Sequence, residues 1–78
     1  MNQKAFLVGT HRYSLQAGKP AEILGVKFVT PRGLQPRACY HVRFEDGEED
    51  LVPLSEAHHC EIISERDVQV GRIPEVVN

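Results

Sequence analysis

Residues 40–50 constrain the fold more than any other part of this chain. Tyr40, Val42 and Phe44 alternate with polar residues, and Asp46-Gly47 follows at once. Alternation with period two places the three apolar side chains on one face of a β-strand. Asp-Gly is a strong signal for a tight hairpin, because both central positions of a type I′ turn require a positive φ. The segment therefore predicts a half-buried strand that turns back into a second, antiparallel strand.

Other short apolar segments, separated by glycine and proline, predict further strands. They lie at residues 5–9, 21–30, 51–54 and 61–64. Gly25 indicates a bulge in the second strand, and Pro53 lacks a backbone donor, which favours an edge strand or a strand end. We expect residues 55–59 to form one helical or 3₁₀ turn capped by Ser55. Residues 67–77 alternate weakly and predict a sixth strand or a surface tail.

With 78 residues, the chain has room for one small domain with a thin core, because a chain of this length buries only ~60% of its unfolded surface. The core is expected from the apolar positions of the predicted strands. It comprises Leu7, Ile23, Val26, Phe28, Tyr40, Val42, Phe44, Leu51, Val52 and Ile62.

The order of these elements resembles that of an SH3-like barrel, and within that group a Tudor-like or chromo-type binding module. The likeness is carried by Tyr-His-Val-Arg-Phe-Glu-Asp-Gly at 40–47 and by Asp-Leu-Val-Pro-Leu-Ser at 50–55, and it covers roughly residues 5–64. It implies an all-β, small SH3-like barrel of five or six short antiparallel strands. Residues 1–64 would form the barrel and residues 65–78 a C-terminal extension, either an extra strand or a surface tail.

The net charge of −2 hides a split along the chain. Residues 1–43 contain seven basic side chains and one acid, whereas residues 44–78 contain two basic side chains and ten acids. In a single sheet, strands from the two halves are expected to neutralise each other across the ladder. The five carboxylates in residues 45–50 are expected to form a solvated hairpin tip that discourages edge-to-edge pairing.

Neither catalysis nor a bound cofactor is predicted. Cys-x-His at 39–41 and His-His-Cys at 58–60 contain zinc-ligand residue types, but their spacing is not that of an established zinc site. No Gly-rich phosphate loop or nucleophile elbow is present. A Tudor-like cage for methylated side chains needs three or four aromatic faces, and only Tyr13 is left free by the expected core. We therefore expect no catalytic residue, no metal ligand and no cofactor.

The leading prediction is a non-enzymatic module that recognises a protein partner. It would use a groove between the first long loop, residues 10–20, and the hairpin tip, residues 45–50. Tyr13 would supply contact area and the charges would set orientation. The predicted binding residues are Arg12, Tyr13, Arg43, Glu48, Glu49 and Asp50.

The alternative is a nucleic-acid-binding SH3-like domain that uses loop arginines. Its candidate residues are Arg12, Lys19, Arg32, Arg37 and Arg43. The sequence pI of about 6.0 argues against it, because nucleic-acid-binding domains are usually basic. A homo-oligomer built by contacts between basic and acidic surfaces is a third reading.

The chain shows no secretory or membrane-spanning pattern, since its first apolar run covers only residues 5–8. Two cysteines do not make a disulfide scaffold. These features predict a cytoplasmic protein without membrane contact. Its small, self-contained character is typical of an accessory protein of a bacteriophage or mobile element.

Overall fold

Five antiparallel strands form one open sheet in this computed structural model, which describes residues 3–14 and 16–77. Four residues lie outside the described ones. Residues 1, 2 and 15 belong to the predicted barrel, residue 15 also to the first loop, and residue 78 to the predicted extension. The strands are β1 (Ala5–Gly9), β2 (Ala21–Val29), β3 (Arg37–Phe44), β4 (Glu49–Pro53) and β5 (Cys60–Ser64). Their order across the sheet is β4-β3-β2-β1-β5. The predicted all-β class is confirmed, although the sheet does not close into a barrel.

The β3–β4 hairpin is present, but its turn differs from the expected type. The Gly47 N–H donates to the Phe44 carbonyl over 2.9 Å, and the Phe44 N–H donates to the Glu48 carbonyl over 2.8 Å. Gly47 has a φ of 90°, whereas Asp46 does not have a positive φ. This is a three-residue loop that ends in a left-handed glycine, so the predicted type I′ turn is wrong.

Two predictions about strand irregularities are confirmed. The register of β2 against β3 shifts between Ile23 and Gly25, which is the bulge expected at the glycine. Pro53 ends β4, and β4 lies at one edge of the sheet. Because Pro53 is the last residue of an edge strand, its missing N–H breaks no run of backbone hydrogen bonds between strands.

The main core is small. Leu7, Ala21, Val42 and Phe44 form one buried cluster, against which Ile23, Tyr40, Val52 and Cys60 pack in partly buried positions. The predicted core positions at Leu7, Val42 and Phe44 are confirmed. Val8, Ala21 and Cys39 are also buried, although the strand pattern did not single them out.

Four predicted core residues are instead exposed: Val26, Phe28, Leu51 and Ile62. In β2 the exposure of Val26 and Phe28 follows from the short pairing of β1 with β2. β1 pairs with β2 only at Glu22 and Ala21, so nothing from β1 covers the outer half of β2. Phe28 is 76% exposed there, despite a sequence pattern that suits a buried strand.

The segment between β4 and β5 is a 3₁₀ helix, Leu54–His59, which lies where one helical or 3₁₀ turn was predicted and is about one turn longer. The cap prediction is wrong, because Pro53 occupies the N-cap position and no side chain caps the helix. No helix in the described part of the chain is long and apolar enough to cross a membrane.

A short helix, α1 (Glu65–Gln69), replaces the start of the expected sixth strand or tail. The Asp67 N–H donates to Ser64 Oγ over 3.1 Å, which caps the helix. The helix packs against β1 and β5. Beyond it the chain continues without regular structure to an isolated parallel bridge between Val77 and His11.

We expect Val42→Ala to lower the free energy of unfolding by about 2 kcal/mol, since it removes two methyl groups from a fully buried site and leaves a cavity. Phe28→Ala is the matched control. It removes a larger side chain from an exposed site and should change stability by no more than about 0.5 kcal/mol. Urea denaturation measures both, and a larger loss for Phe28→Ala would contradict this assignment of the core.

Ser64→Ala should cost about 1 kcal/mol, because it removes the acceptor of the helix cap. Ser55→Ala, in the 3₁₀ helix, is the control and should be close to neutral, because Ser55 makes no cap hydrogen bond there. Thermal denaturation of the two variants distinguishes them. Equal effects would show that the α1 cap does not contribute.

Candidate functional site

The first loop, residues 10–20, is tied to the sheet by backbone hydrogen bonds. The N–H of Thr10 donates to the His59 carbonyl over 2.8 Å, and the N–H of Gly18 donates to the Gly9 carbonyl over 2.8 Å. Gly9 also lets the loop approach closely, since a Cβ at this position would overlap Ser14 Oγ. The loop is therefore held against β1 and the end of the 3₁₀ helix.

Val76 and Val77, near the C-terminal end of the described residues, also contact the first loop. The Val77 N–H donates to the Thr10 carbonyl over 2.6 Å, and the Arg12 N–H donates to the Val77 carbonyl over 3.1 Å. A Cβ added at Gly18 would lie 3.2 Å from a methyl group of Val76. Both ends of the first loop are thus in contact with the last described residues.

A cleft of about 310 Å³ opens between the first loop on one side and β4 with the 3₁₀ helix on the other. We call it the loop cleft. Its floor is the main core, and its walls come from loop, strand and helix residues. The lining residues are Leu7, Gly9, Tyr13, Ser14, Lys19, Ala21, Val42, Phe44, Leu51, Val52, Glu56, His59 and Cys60. The apolar floor and mixed rim suit an apolar anchor with polar neighbours.

Tyr13 and Arg12 form an exposed stack at the rim of the loop cleft. The guanidinium carbon of Arg12 lies 4.5 Å from the ring centre of Tyr13, and Arg12 also donates a hydrogen bond to the Tyr13 hydroxyl. Tyr13 is 74% exposed. The cation on its ring orients the side chain without burying it, so its apolar surface stays available to a ligand.

Histidine rings continue this rim towards the 3₁₀ helix. The ring centre of His11 lies 5.0 Å from that of Tyr13 and 5.2 Å from that of His59, and His58 lies 3.8 Å from His59. These rings form a row of polar aromatic groups beside the cleft. Aromatic rings of this kind give large contact area at low cost in conformational entropy.

Cys60 is a half-buried thiol in the wall of the loop cleft. Burial raises the pKa of Cys60, and the nearby Glu56 carboxylate raises it further. Both effects disfavour the thiolate, which is the nucleophilic form. Cys60 is therefore suited to packing rather than to covalent chemistry.

A separate depression of about 390 Å³ lies between the first loop and the start of the hairpin tip, where the binding groove was predicted. Its lining residues are Gln16, Gly18, Lys19, Pro20, Phe44, Glu45 and Asp46. None of the six predicted protein-binding residues lines it, and their role as a common site stays a prediction.

Those six residues lie in different places. Tyr13 lines the loop cleft, with Arg12 stacked on it. Arg43 lies 3.4 Å from Glu22 Oε1, and Glu49 lies 2.5 Å from His41 Nε2. Asp50 accepts a hydrogen bond from the Leu51 N–H. Glu48 is an exposed residue that follows the turn.

The basic residues of the nucleic-acid alternative also fall into separate groups. Arg12 and Lys19 belong to the first loop, which joins the sheet at the end where β2 begins. Arg32 and Arg37 lie at or next to the turn between β2 and β3, at the opposite end of the ladder. Arg43 is paired with Glu22. No single basic face emerges from this placement.

The two oppositely charged halves of the sequence neutralise each other less than expected. Lys4 and Arg43 both pair with Glu22, the one acid of the basic half. Among the described residues, only His41 with Glu49 joins the two halves at ion-pair distance. Most charged side chains of the two halves, within the described residues, therefore lie beyond ion-pair distance of one another.

Within residues 3–14 and 16–77, no three His, Cys, Asp or Glu side chains lie close enough together to hold a metal ion. Cys39 and Cys60 are both free thiols. His41 is engaged with Glu49, whereas His58 and His59 stack at the rim of the loop cleft.

Sequence reasoning missed several residues of the loop cleft, notably Ser14, Glu56, His59 and Cys60. Their proximity depends on the pairing of β1 with β5, which sets Gly9 opposite Cys60. That pairing joins residues far apart in the chain. The one local signal was the predicted turn at residues 55–59, which brings His59 to the start of β5.

Comparison of the chain with protein-family models, with curated proteins and with solved structures gives no match.

In a Cys39→Ala background, alkylation of Cys60 by iodoacetamide should follow a pH midpoint above that of an ordinary cysteine. Glu56→Gln should lower that midpoint, because it removes the negative charge that opposes the thiolate. Glu61→Gln is the control with the same change of charge and should leave it unchanged. A midpoint that does not respond to Glu56→Gln would contradict the electrostatic part of this account.

Proposed function

We propose that the chain is a non-enzymatic binding module of the SH3-like type that holds a segment of a partner protein in the loop cleft. The observation that carries this proposal is a cleft of about 310 Å³, lined in part by exposed Leu51 and half-buried Val52, beside the exposed Arg12–Tyr13 stack. Tyrosine and arginine are enriched among the residues that contribute most to protein–protein binding.

The order of elements supports the SH3-like part of the proposal. A long first loop precedes β2, a tight hairpin joins β3 to β4, and one 3₁₀ helix leads into the last strand. In this arrangement the first loop and the 3₁₀ helix flank one cleft. The fold thereby offers a rigid floor with two variable walls, which suits recognition.

The chemistry of the walls indicates what a bound segment would contain. An apolar side chain would contact Tyr13, Leu51 and Val52, the apolar lining residues that are exposed or half-buried, above the buried floor of the cleft. Polar groups of the segment would meet Lys19 and Glu56 at the rim. The apolar anchor would supply most of the affinity, and the rim charges would set its orientation.

The state of Cys60 supports a binding role over a catalytic one. It is the thiol in the wall of the loop cleft, and its raised pKa keeps it protonated. A reactive cysteine needs the opposite environment, in which a cation or a helix N-terminus lowers the pKa.

The test uses the tagged full-length chain to recover a partner from the native host, followed by calorimetry with the purified partner. Tyr13→Ala should weaken binding at least tenfold, because it removes the exposed ring. Tyr13→Phe keeps the ring, and its dissociation constant should stay within about threefold of that of the native chain.

Unchanged affinity in Tyr13→Ala would overturn the assignment of the loop cleft. An electrophoretic shift of DNA or RNA that weakens steeply with salt, together with no recovered protein, would favour the nucleic-acid alternative instead.

A further inference from the structure

The outer half of β2 has an open edge. β3 pairs with β2 as far as Val29, but β1 pairs with it only at Glu22 and Ala21. Among the described residues, no strand lies beside residues 24–29 on the side away from β3. We call residues 24–29 the β2 edge. Its outward backbone donors and acceptors pair with no other strand in the part of the chain that the structure describes.

The β2 edge is also apolar and exposed. Phe28 is 76% and Val26 51% exposed, and Leu24 and Val29 are exposed as well. Proteins usually protect such edges with charges, proline, bulges or a covering segment. Here the bulge lies at the start of the edge, between Ile23 and Gly25, and Lys27 is the one charge along it.

The basic residues around the β2 edge indicate what kind of strand would pair with it. Residues 23–44 contain four basic side chains and no acid. Lys27, Arg32 and Arg37 are exposed, and no carboxylate lies at ion-pair distance from them within the described residues. A second copy paired through the same edge would bring like charges together, whereas an acidic strand would neutralise them.

The register of β2 against β3 indicates which residues of an added strand would be apolar and which would be acidic. Val26 lies opposite Tyr40 and Phe28 opposite Ala38, whereas Lys27 lies opposite Cys39 and Val29 opposite Arg37. Because side chains alternate along a strand, Val26 and Phe28 share one face, and Lys27 and Arg37 share the other. A strand beside them would place apolar residues on the first face and carboxylates on the second.

We propose that the β2 edge binds an extended segment of a partner protein as an added strand, in which acidic and apolar residues alternate. Backbone hydrogen bonds would supply the pairing, and the two faces would select the sequence. This surface is distinct from the loop cleft and does not depend on the function proposed for it.

The test probes the full chain with a nine-residue peptide, blocked at both ends, in which glutamate alternates with valine and isoleucine. A peptide of the same composition with its glutamates clustered at one end is the control. Amide hydrogen exchange is followed by NMR at millimolar peptide. The alternating peptide should slow exchange at least tenfold at those β2 amides that point away from β3, and the clustered peptide should not.

Lys27→Glu should weaken binding of the alternating peptide at least tenfold. Arg66→Glu makes the same change of charge in α1, which packs against β1 and β5, and should leave it unchanged. Tyr13→Ala should also leave it unchanged, so that failure of the loop cleft and failure of the β2 edge are distinguishable.

Three outcomes would overturn the proposal. One is the absence of slowed exchange in β2 with the alternating peptide. Another is protection of the β2 edge that rises with protein concentration alone, which would assign the edge to a second copy. The third is protection of the β2 edge by an oligonucleotide but not by the alternating peptide.

Discussion

The packing of Val42 and Phe44 against Leu7 and Ala21 holds this fold together. Strands β2, β3 and β4 form one meander, whereas β1 and β5 form a separate ladder of five residue pairs. Among the residues that the structure describes, two pairs, at Glu22 and Ala21, join the two ladders through the backbone. The shared core must therefore supply most of the cohesion, and the cleft that reaches its floor depends on the same few side chains.

The local features of the fold could be predicted, because they arise from neighbours in the chain. Alternation at Tyr40, Val42 and Phe44 indicates β3, and Gly25 marks the bulge. Helix α1 was also within reach, since Ser64 precedes Asp67 at the spacing of an N-cap. The weak alternation of residues 67–77 favoured a strand or a tail instead.

The exposure of Val26 and Phe28 could not be read from the pattern. Their residue types suit a buried strand, but burial depends on how far β1 extends along β2. Likewise, the loop cleft needs Gly9 beside Cys60, a contact between distant parts of the chain. Such long-range pairings leave little trace in a single sequence, so site residues were predicted less well than strands.

The division of charge along the sequence persists only in part in the fold, because Lys19 lines one depression together with Glu45 and Asp46. The arginines beside the turn between β2 and β3 lie at the opposite end of the ladder from the acidic β3–β4 turn. Opposite ends of the sheet thus present different electrostatic surfaces. A nearly neutral chain can in this way offer two surfaces of different preference without a strong overall field.

The bridge between His11 and Val77 also affects the order in which the protein folds during its synthesis. It joins residues that are far apart in the sequence, so this contact of the first loop cannot form until Val77 has left the ribosome. Contacts of such long sequence separation form late, because the chain between them must first be ordered. The loop cleft is therefore expected to be completed last, and a nascent chain would carry its β-hairpins before it is able to bind through the cleft.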